Sequence, residues 1–358
     1  LSKPLKILVA PLDWGLGHAT RCIPIVQTLL NKNVEVILGG SGISGMLLRN
    51  QFPQLRYEEI PGYQVTYSKK LPMAVAMLGQ APGILQSIRQ EKKWLEELQK
   101  KIPLDIVISD HRYGLYHKNI YSVFMAHQLF ISSGNNALLE PLLWKVNKSY
   151  IEKFNHCWIP DIPGEHNAAG KLAHKLPLPF PHHFIGWLSQ LKYVEKSTPI
   201  YQAGFILSGL EPLRTELEHI LIGQMNQLPP GKYILIRGTD TPLAEEVPDF
   251  VDIIHLANAS QIEKVVQTSG LVVSRAGYTS IMDYLVTGTQ ALLIPTPGQT
   301  EQEYLAQYHL ALGNFYSTPQ NNLQLNAAMH QALAYQPTNT PPPYLLENAV
   351  NDLINYNN

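Results

Sequence analysis

Short apolar runs alternate with longer stretches of helical spacing along nearly the whole chain, and this restricts it to folds built on parallel sheets. A strand buried on both faces reads as a continuous apolar run, and the helices between such strands cover the sheet. In the first half the strand candidates are Lys6–Ala10, Val34–Gly39, Leu55–Ile60, Asp105–Ser109, Ser122–His127 and Cys157–Pro160. Helices are expected from about Cys22 to Asn31, from Leu85 to Lys101 and from Ala137 to Phe154. The mixed charges Glu91-Lys92-Lys93 and Glu96-Glu97 read as a solvated helix face. Lys175 to Pro199, rich in proline and aromatics, has no sustained period and reads as an inter-domain connection. A fresh strand series follows: Ala203–Leu207, Tyr233–Arg237, Val251–Leu256, Leu271–Ser274, Ala291–Pro295 and Asn314–Tyr316. After the break Thr338–Pro343, a last helical pattern runs from Tyr344 to Ile354.

At 358 residues the chain is long for one core and suits two α/β domains. A net charge of −1 and a pI near 7.0 give no long-range attraction for nucleic acid, which is excluded as a partner. Cys22 and Cys157 are neither a disulfide framework nor a spaced zinc site, so a reducing cytoplasm is the expected location. No apolar run approaches the roughly 20 residues that cross a bilayer. Leu71–Leu85 is apolar enough to lie at the inner membrane face, making peripheral contact, although a buried helix face is the preferred reading.

Two places in the chain carry chemistry. After the first strand comes Asp13-Trp14-Gly15-Leu16-Gly17-His18, where paired glycines allow a ligand to approach the backbone. It is a poor dinucleotide fingerprint, since the third glycine is missing. His18 at such a strand edge is a candidate general base, and a structural histidine at a helix start is the alternative. Asp110 and His111, with His127, end two further strands and are candidates for the acceptor side.

The second place is the strand ending at Ser274. Ala276-Gly277 turns the backbone so that the amides of Gly277, Tyr278, Thr279 and Ser280 favour a diphosphate. Asp283, one turn on, is placed to accept from ribose hydroxyls, and Thr300, Glu301 and Gln302 to meet sugar hydroxyls. Ser208-Gly209 offers a further glycine turn. Each has a structural alternative: Ser280–Asp283 and Thr300–Glu303 are capping-box patterns, and Arg275 suits a diphosphate or a buried ion pair. His166, His174, His182 and His183 lack helical ligand spacing and read as surface residues. No Asp-x-Asp occurs, so neither a metal nor a cofactor is expected.

From Val272 to Ala306 the order Ser274-Arg275-Ala276-Gly277, Thr279, Ser280, Asp283, Pro295 and Gln302-Glu303 resembles the donor site of the GT-B glycosyltransferases, specifically their MurG-like, family 28-type branch. Gly15–His18 resembles the family's first glycine loop, and Phe184-Ile185-Gly186 the strand closing its first domain. The resemblance implies two Rossmann-like parallel-sheet domains facing a cleft, residues 1–187 on the acceptor side and 188–340 on the donor side. A C-terminal helix, within 341–358, would return to the first. It also implies inverting transfer from a nucleotide-sugar donor, UDP-linked, to an unspecified acceptor, lipid-linked or glycan, with Gly17, Ser208, Gly209, Arg275 and Ala276 near the donor and His18 as base. Trp187–Gln190 lacks the arginine of the peptidoglycan enzymes, so the resemblance supports the donor fold more than their reaction. A sugar-nucleotide epimerase and a non-catalytic nucleotide-sugar-binding protein are the alternatives.

Overall fold

The computed structural model describes residues 3–62, 73–132, 137–195, 198–337 and 344–357; the side chains of 73–81, 137 and 357 are outside that description. The chain divides into two compact units, residues 1–190 with 342–358 and residues 191–341.

The first unit contains β1 (Leu5–Pro11), α1 (Leu16–Leu30), β2 (Val34–Gly40), α2 (Gly42–Gln51), β3 (Arg56–Glu59), α3 (Met73–Lys101), β4 (Ile106–Asp110), β5 (Tyr121–Met125), α4 (Glu140–Ile151), β6 (His156–Ile159), α5 (Lys171–His174) and β7 (His182–Phe184). The second contains β8 (Tyr201–Ile206), α6 (Leu213–Met225), β9 (Tyr233–Ile236), β10 (Val251–Ile254), α7 (Ala259–Thr268), β11 (Ser269–Ser274), α8 (Tyr278–Thr287), β12 (Ala291–Leu293), α9 (Thr300–Ala311), β13 (Tyr316–Ser317) and α10 (Leu325–Ala332). The last helix, α11 (Leu345–Asn357), packs on α1 and β7 of the first unit. Among the described residues no helix is long and apolar enough to cross a membrane.

Both sheets are parallel throughout, in the orders β3-β2-β1-β4-β5-β6-β7 and β10-β9-β8-β11-β12-β13. In each, the chain first winds one way and then crosses back, so strand order reverses between β1 and β4 and between β8 and β11. Loops leaving the carboxyl ends there diverge onto opposite faces and leave a crevice, the usual ligand position in such sheets. The central strands explain the apolar runs: Ile7, Leu8, Val9, Ile106, Val107 and Ile108 are fully buried, as are Val272 and Val273.

Several local expectations change. The first helix begins at Leu16 rather than near Cys22, because Gly15 at φ 123° makes the turn from the strand at once. Pro24 therefore lies inside the helix, not in its opening turn. Residues 42–51, which gave no expectation, form α2. Leu71 and Pro72 of the apolar segment lie outside the described residues, and α3 carries a proline, Pro82, within its length. His174, His182 and His183 are half-buried, not surface residues. His174 Nε2 lies 3.0 Å from the buried Asp161 carboxylate, and His182 and His183 form part of a strand inside the expected connection.

Glu91 is fully buried, not solvated: its Oε1 accepts from Arg112 Nη1 at 2.8 Å and its Oε2 from the Gly114 amide at 3.0 Å. Arg112 is equally buried and also donates to Pro11 O, Pro61 O and Ser41 Oγ, tying β1, α3 and the loop after β4 together. Removing one partner of such a pair leaves an uncompensated charge, so Glu91→Ala is expected to cost about 3–5 kcal/mol. Urea unfolding measures this, with Glu91→Gln, which keeps one of the two acceptor oxygens, losing less.

Candidate functional site

At the reversal point of the first sheet, β1 and β4 end side by side. Pro11 pairs with Asp110, and the Leu12 amide donates to Asp110 O at 2.9 Å. The side chain of Asp110 is fully buried, and α1, starting five residues after the end of β1, leans its first turns over it. His18 and Arg21 are three residues apart and share that face of the helix. His18 Nδ1 lies 3.0 Å from Asp110 Oδ2. Arg21 donates from Nε to Oδ2 at 2.8 Å and from Nη2 to Oδ1, a bidentate grip. The same guanidinium reaches His127 Nδ1 from Nη1 at 2.8 Å and His111 Nδ1 from Nη2 at 3.0 Å. Thus His18, Asp110, His111 and His127 come together around Arg21, a residue to which the sequence alone assigns no role.

Burial favours neutral groups here, and the ion pair opposes it. Burial pushes the Asp110 carboxyl up, but Arg21 and His18 outweigh it and hold it well below the usual carboxylate range. Burial lowers His18 below its ordinary value despite Asp110. It takes His111 down to about 3. Both imidazoles are therefore neutral at neutral pH beside an ionised carboxylate. His18, Asp110 and His111 offer donor atoms within 4.8 Å of one another. The Arg21 guanidinium already stands among them, and its fixed charge repels a cation there.

In the second unit three loops emerge from the neighbouring strands β8, β11 and β12. Ser208 and Gly209 are exposed, with Gly209 at φ 109°. Gly277 is the N-cap of α8 and no side chain caps that helix. Ser280 and Asp283 thus lie inside the helix and form no capping box; both are half-buried, as is Thr279. Ala276 and Tyr278 bury their side chains, leaving their backbone at the turn.

The α9 capping box is also absent, since α9 starts at Thr300 with Gln299 as N-cap. Instead Gln302 Oε1 accepts from the Thr296 amide at 2.9 Å and Glu303 Oε1 from the Gly298 amide at 2.8 Å, folding the loop on itself. Glu301 is half-buried. Arg275 makes no ion pair among the described residues: only 3% exposed, it donates to the carbonyls of Leu213 at 2.7 Å and of Ile294 and Pro295 at 3.3 Å. It therefore fixes the ends of β12 and α6 around the turn.

Comparison with known proteins agrees with this architecture. Residues 234–342 match the glycosyltransferase family 28 C-terminal domain. The chain is 24% identical over 332 residues, 84% of this chain and 82% of the other, to a protein from Methanosarcina acetivorans described as an uncharacterized glycosyltransferase. Among solved structures it is similar to the calicheamicin glycosyltransferase CalG4, with TM-score 0.70 and 13% identity over 99% of this chain and 98% of that one. It is also similar to MurG of Acinetobacter baumannii, with TM-score 0.62 and 14% identity over 99% and 100%. Fold and matched domain define a glycosyltransferase of the GT-B class. Within that fold, the stretch that matches family 28 contains the residues from Val272 to Ala306 that resemble its donor site, and the fold is the one shared with MurG.

Proposed function

We propose that the protein transfers a sugar from a nucleoside diphosphate donor, UDP-linked, to an acceptor hydroxyl, with inversion and without a metal. The observation that carries this reading is the His18–Asp110 pair at the reversal point of the first sheet. With its Nδ1 proton held by Asp110, His18 keeps the Nε2 lone pair for the acceptor proton. Asp110 is fully buried and gripped by Arg21, so it orients the imidazole instead of attacking the sugar. A base with no carboxylate nucleophile beside it suits a single displacement, which inverts the anomeric carbon.

In the second unit the amides from Gly277 to Ser280 meet the negative charge that develops on the departing diphosphate. The glycine at the N-cap of α8 puts no side chain over that turn, which supports that role. Ser208 and Gly209 flank the phosphates, and Thr300, Glu301 and Gln302 face the donor sugar. Asp283 accepts from the ribose. Asp283→Ala is then expected to weaken UDP binding by roughly 1.5–3 kcal/mol. Calorimetry showing unchanged UDP affinity would remove Asp283 from the nucleotide site.

The function itself is tested by incubating the full chain with UDP-sugars and an acceptor panel, with and without chelator, and following glycoside by mass spectrometry. Transfer that survives the chelator is the expected result. Isomerised donor in the absence of any acceptor, or activity abolished by the chelator and restored by a divalent cation, would overturn the reading.

A further inference from the structure

We propose that Arg21 fixes the histidines around it in different tautomers, so that His18 offers a lone pair and His111 an N–H to one acceptor. That acceptor is then a saccharide presenting two neighbouring hydroxyls. The inference rests on the reading of His18 as the base.

A guanidinium has donors and no lone pair, so any ring nitrogen it hydrogen-bonds must accept. Nη1 at 2.8 Å from His127 Nδ1 therefore places the His127 proton on Nε2. Nη2 has two hydrogens and three neighbours: Asp110 Oδ1, His111 Nδ1 at 3.0 Å and His18 Nδ1 at 2.8 Å. The first hydrogen goes to the carboxylate. His18 Nδ1 also lies 3.0 Å from Asp110 Oδ2, and two acceptors facing each other at that distance repel unless a proton lies between them. His18 is thus the ring that carries Nδ1–H, its 2.8 Å approach to Nη2 is a contact without a hydrogen bond, and the second Nη2 hydrogen belongs to His111. His111 Nδ1 stands 3.5 Å from Asp110 Oδ1, too far to compete. The outcome is a bare Nε2 on His18 and an Nε2–H on His111.

The two rings stand edge to face, 5.3 Å between centroids. Their side chains are 18% and 14% exposed, and among the described residues no group hydrogen-bonds either Nε2. His111 also sits at φ 56°, a conformation rare outside glycine, and its amide donates to Met125 O at 3.0 Å. Side chains held at such a backbone cost are concentrated at functional sites. An acceptor and a donor this close match a hydroxyl that loses its proton and a neighbouring oxygen that receives a hydrogen bond. A phenol or a simple long-chain alcohol has no such second oxygen.

The tautomers are read directly from long-range 15N–1H spectra of histidine-labelled full-length protein at neutral pH. The expected pattern is Nδ1–H on His18 and Nε2–H on His111 and His127; a proton on His111 Nδ1, or on His18 Nε2, overturns the proposal. The substrate class is read from transfer to methyl glycosides and their monodeoxy forms, with p-nitrophenol and decanol alongside. Wild type is expected to favour the reactive glycoside over the form lacking the adjacent hydroxyl by about 10–100-fold in kcat/KM, the worth of one such hydrogen bond. His111→Phe should reduce that ratio to near one, and His111→Gln, which keeps a donor, should retain most of it. A ratio unchanged in His111→Phe, or a preference for p-nitrophenol or decanol over every glycoside, overturns the diol acceptor. Full turnover in His18→Ala sinks the base reading instead, separating the two failures.

Discussion

Replacing His18 with alanine is expected to lower turnover by ~10²–10⁴-fold, the range for loss of a positioned general base. The pH dependence gives the sharper test. Burial lowers the His18 pKa from its ordinary 6.5, with Asp110 opposing and Arg21 assisting. Protonation removes the lone pair, so kcat/KM of the wild type should fall as pH drops through that lowered pKa, an acid limb lying below 6.5. Above it the rate should be level until another group titrates. His18→Ala should show the low rate with the limb gone, and His111 does not supply one in its place, since it charges only near pH 3. UDP affinity should be unchanged, since the proposed donor residues other than Gly17 belong to the second unit. A folded His18→Ala protein with wild-type turnover and an intact acid limb would assign the proton transfer elsewhere.

The two sheets were legible because central parallel strands must be apolar on both faces, and Leu271–Ser274 or Lys6–Ala10 cannot be read otherwise. The site was legible only in part, for a local reason. Gly15 and Gly17 suggested a loop continuing to Cys22, whereas Gly15 makes the turn and α1 begins at the next residue. Placing the helix start six residues late kept Arg21 off the helix and hid its three-residue spacing from His18. With the start at Leu16, an arginine one turn after a candidate base would have been the signal to find.

Long-range pairing explains the other losses. Glu91 sits in a run of charges that locally resembles a solvated face, and its partner Arg112 follows a strand end 21 residues later. Arg275 shows the same limit, since burial and three carbonyl partners decide its role, and residue type decides neither. Ser280 and Asp283 matched a capping box because the pattern ignores where the helix starts. With Gly277 as the N-cap and Tyr278 as its first residue, Ser280 and Asp283 lie inside the helix and the pattern is not a cap.

Asp110→Asn is expected to cost both activity and stability, and the reason lies in the number of donors aimed at one carboxylate. Arg21 Nε and His18 Nδ1 point at Oδ2, and Arg21 Nη2 points at Oδ1. An asparagine presents one oxygen and one NH₂ group, so in either orientation an amide donor faces at least one of these donors. If the NH₂ faces His18, the imidazole takes the other tautomer, accepting at Nδ1 and carrying its proton on Nε2, where the base should be. A histidine held in the wrong tautomer loses about 10⁴-fold. If the NH₂ faces Nη2, the guanidinium loses its bidentate grip and its charge is left buried without a counterion, which costs about 3–5 kcal/mol. The variant should therefore unfold at lower urea and turn over ~10²–10⁴-fold more slowly at temperatures where it is fully folded. Its UDP affinity should match that of the wild type. In the 15N spectra His18 should move from Nδ1–H to Nε2–H where the NH₂ faces it, and stay Nδ1–H where the oxygen does. Wild-type turnover in the folded variant would detach Asp110 from the chemistry and leave it only as the counterion of Arg21.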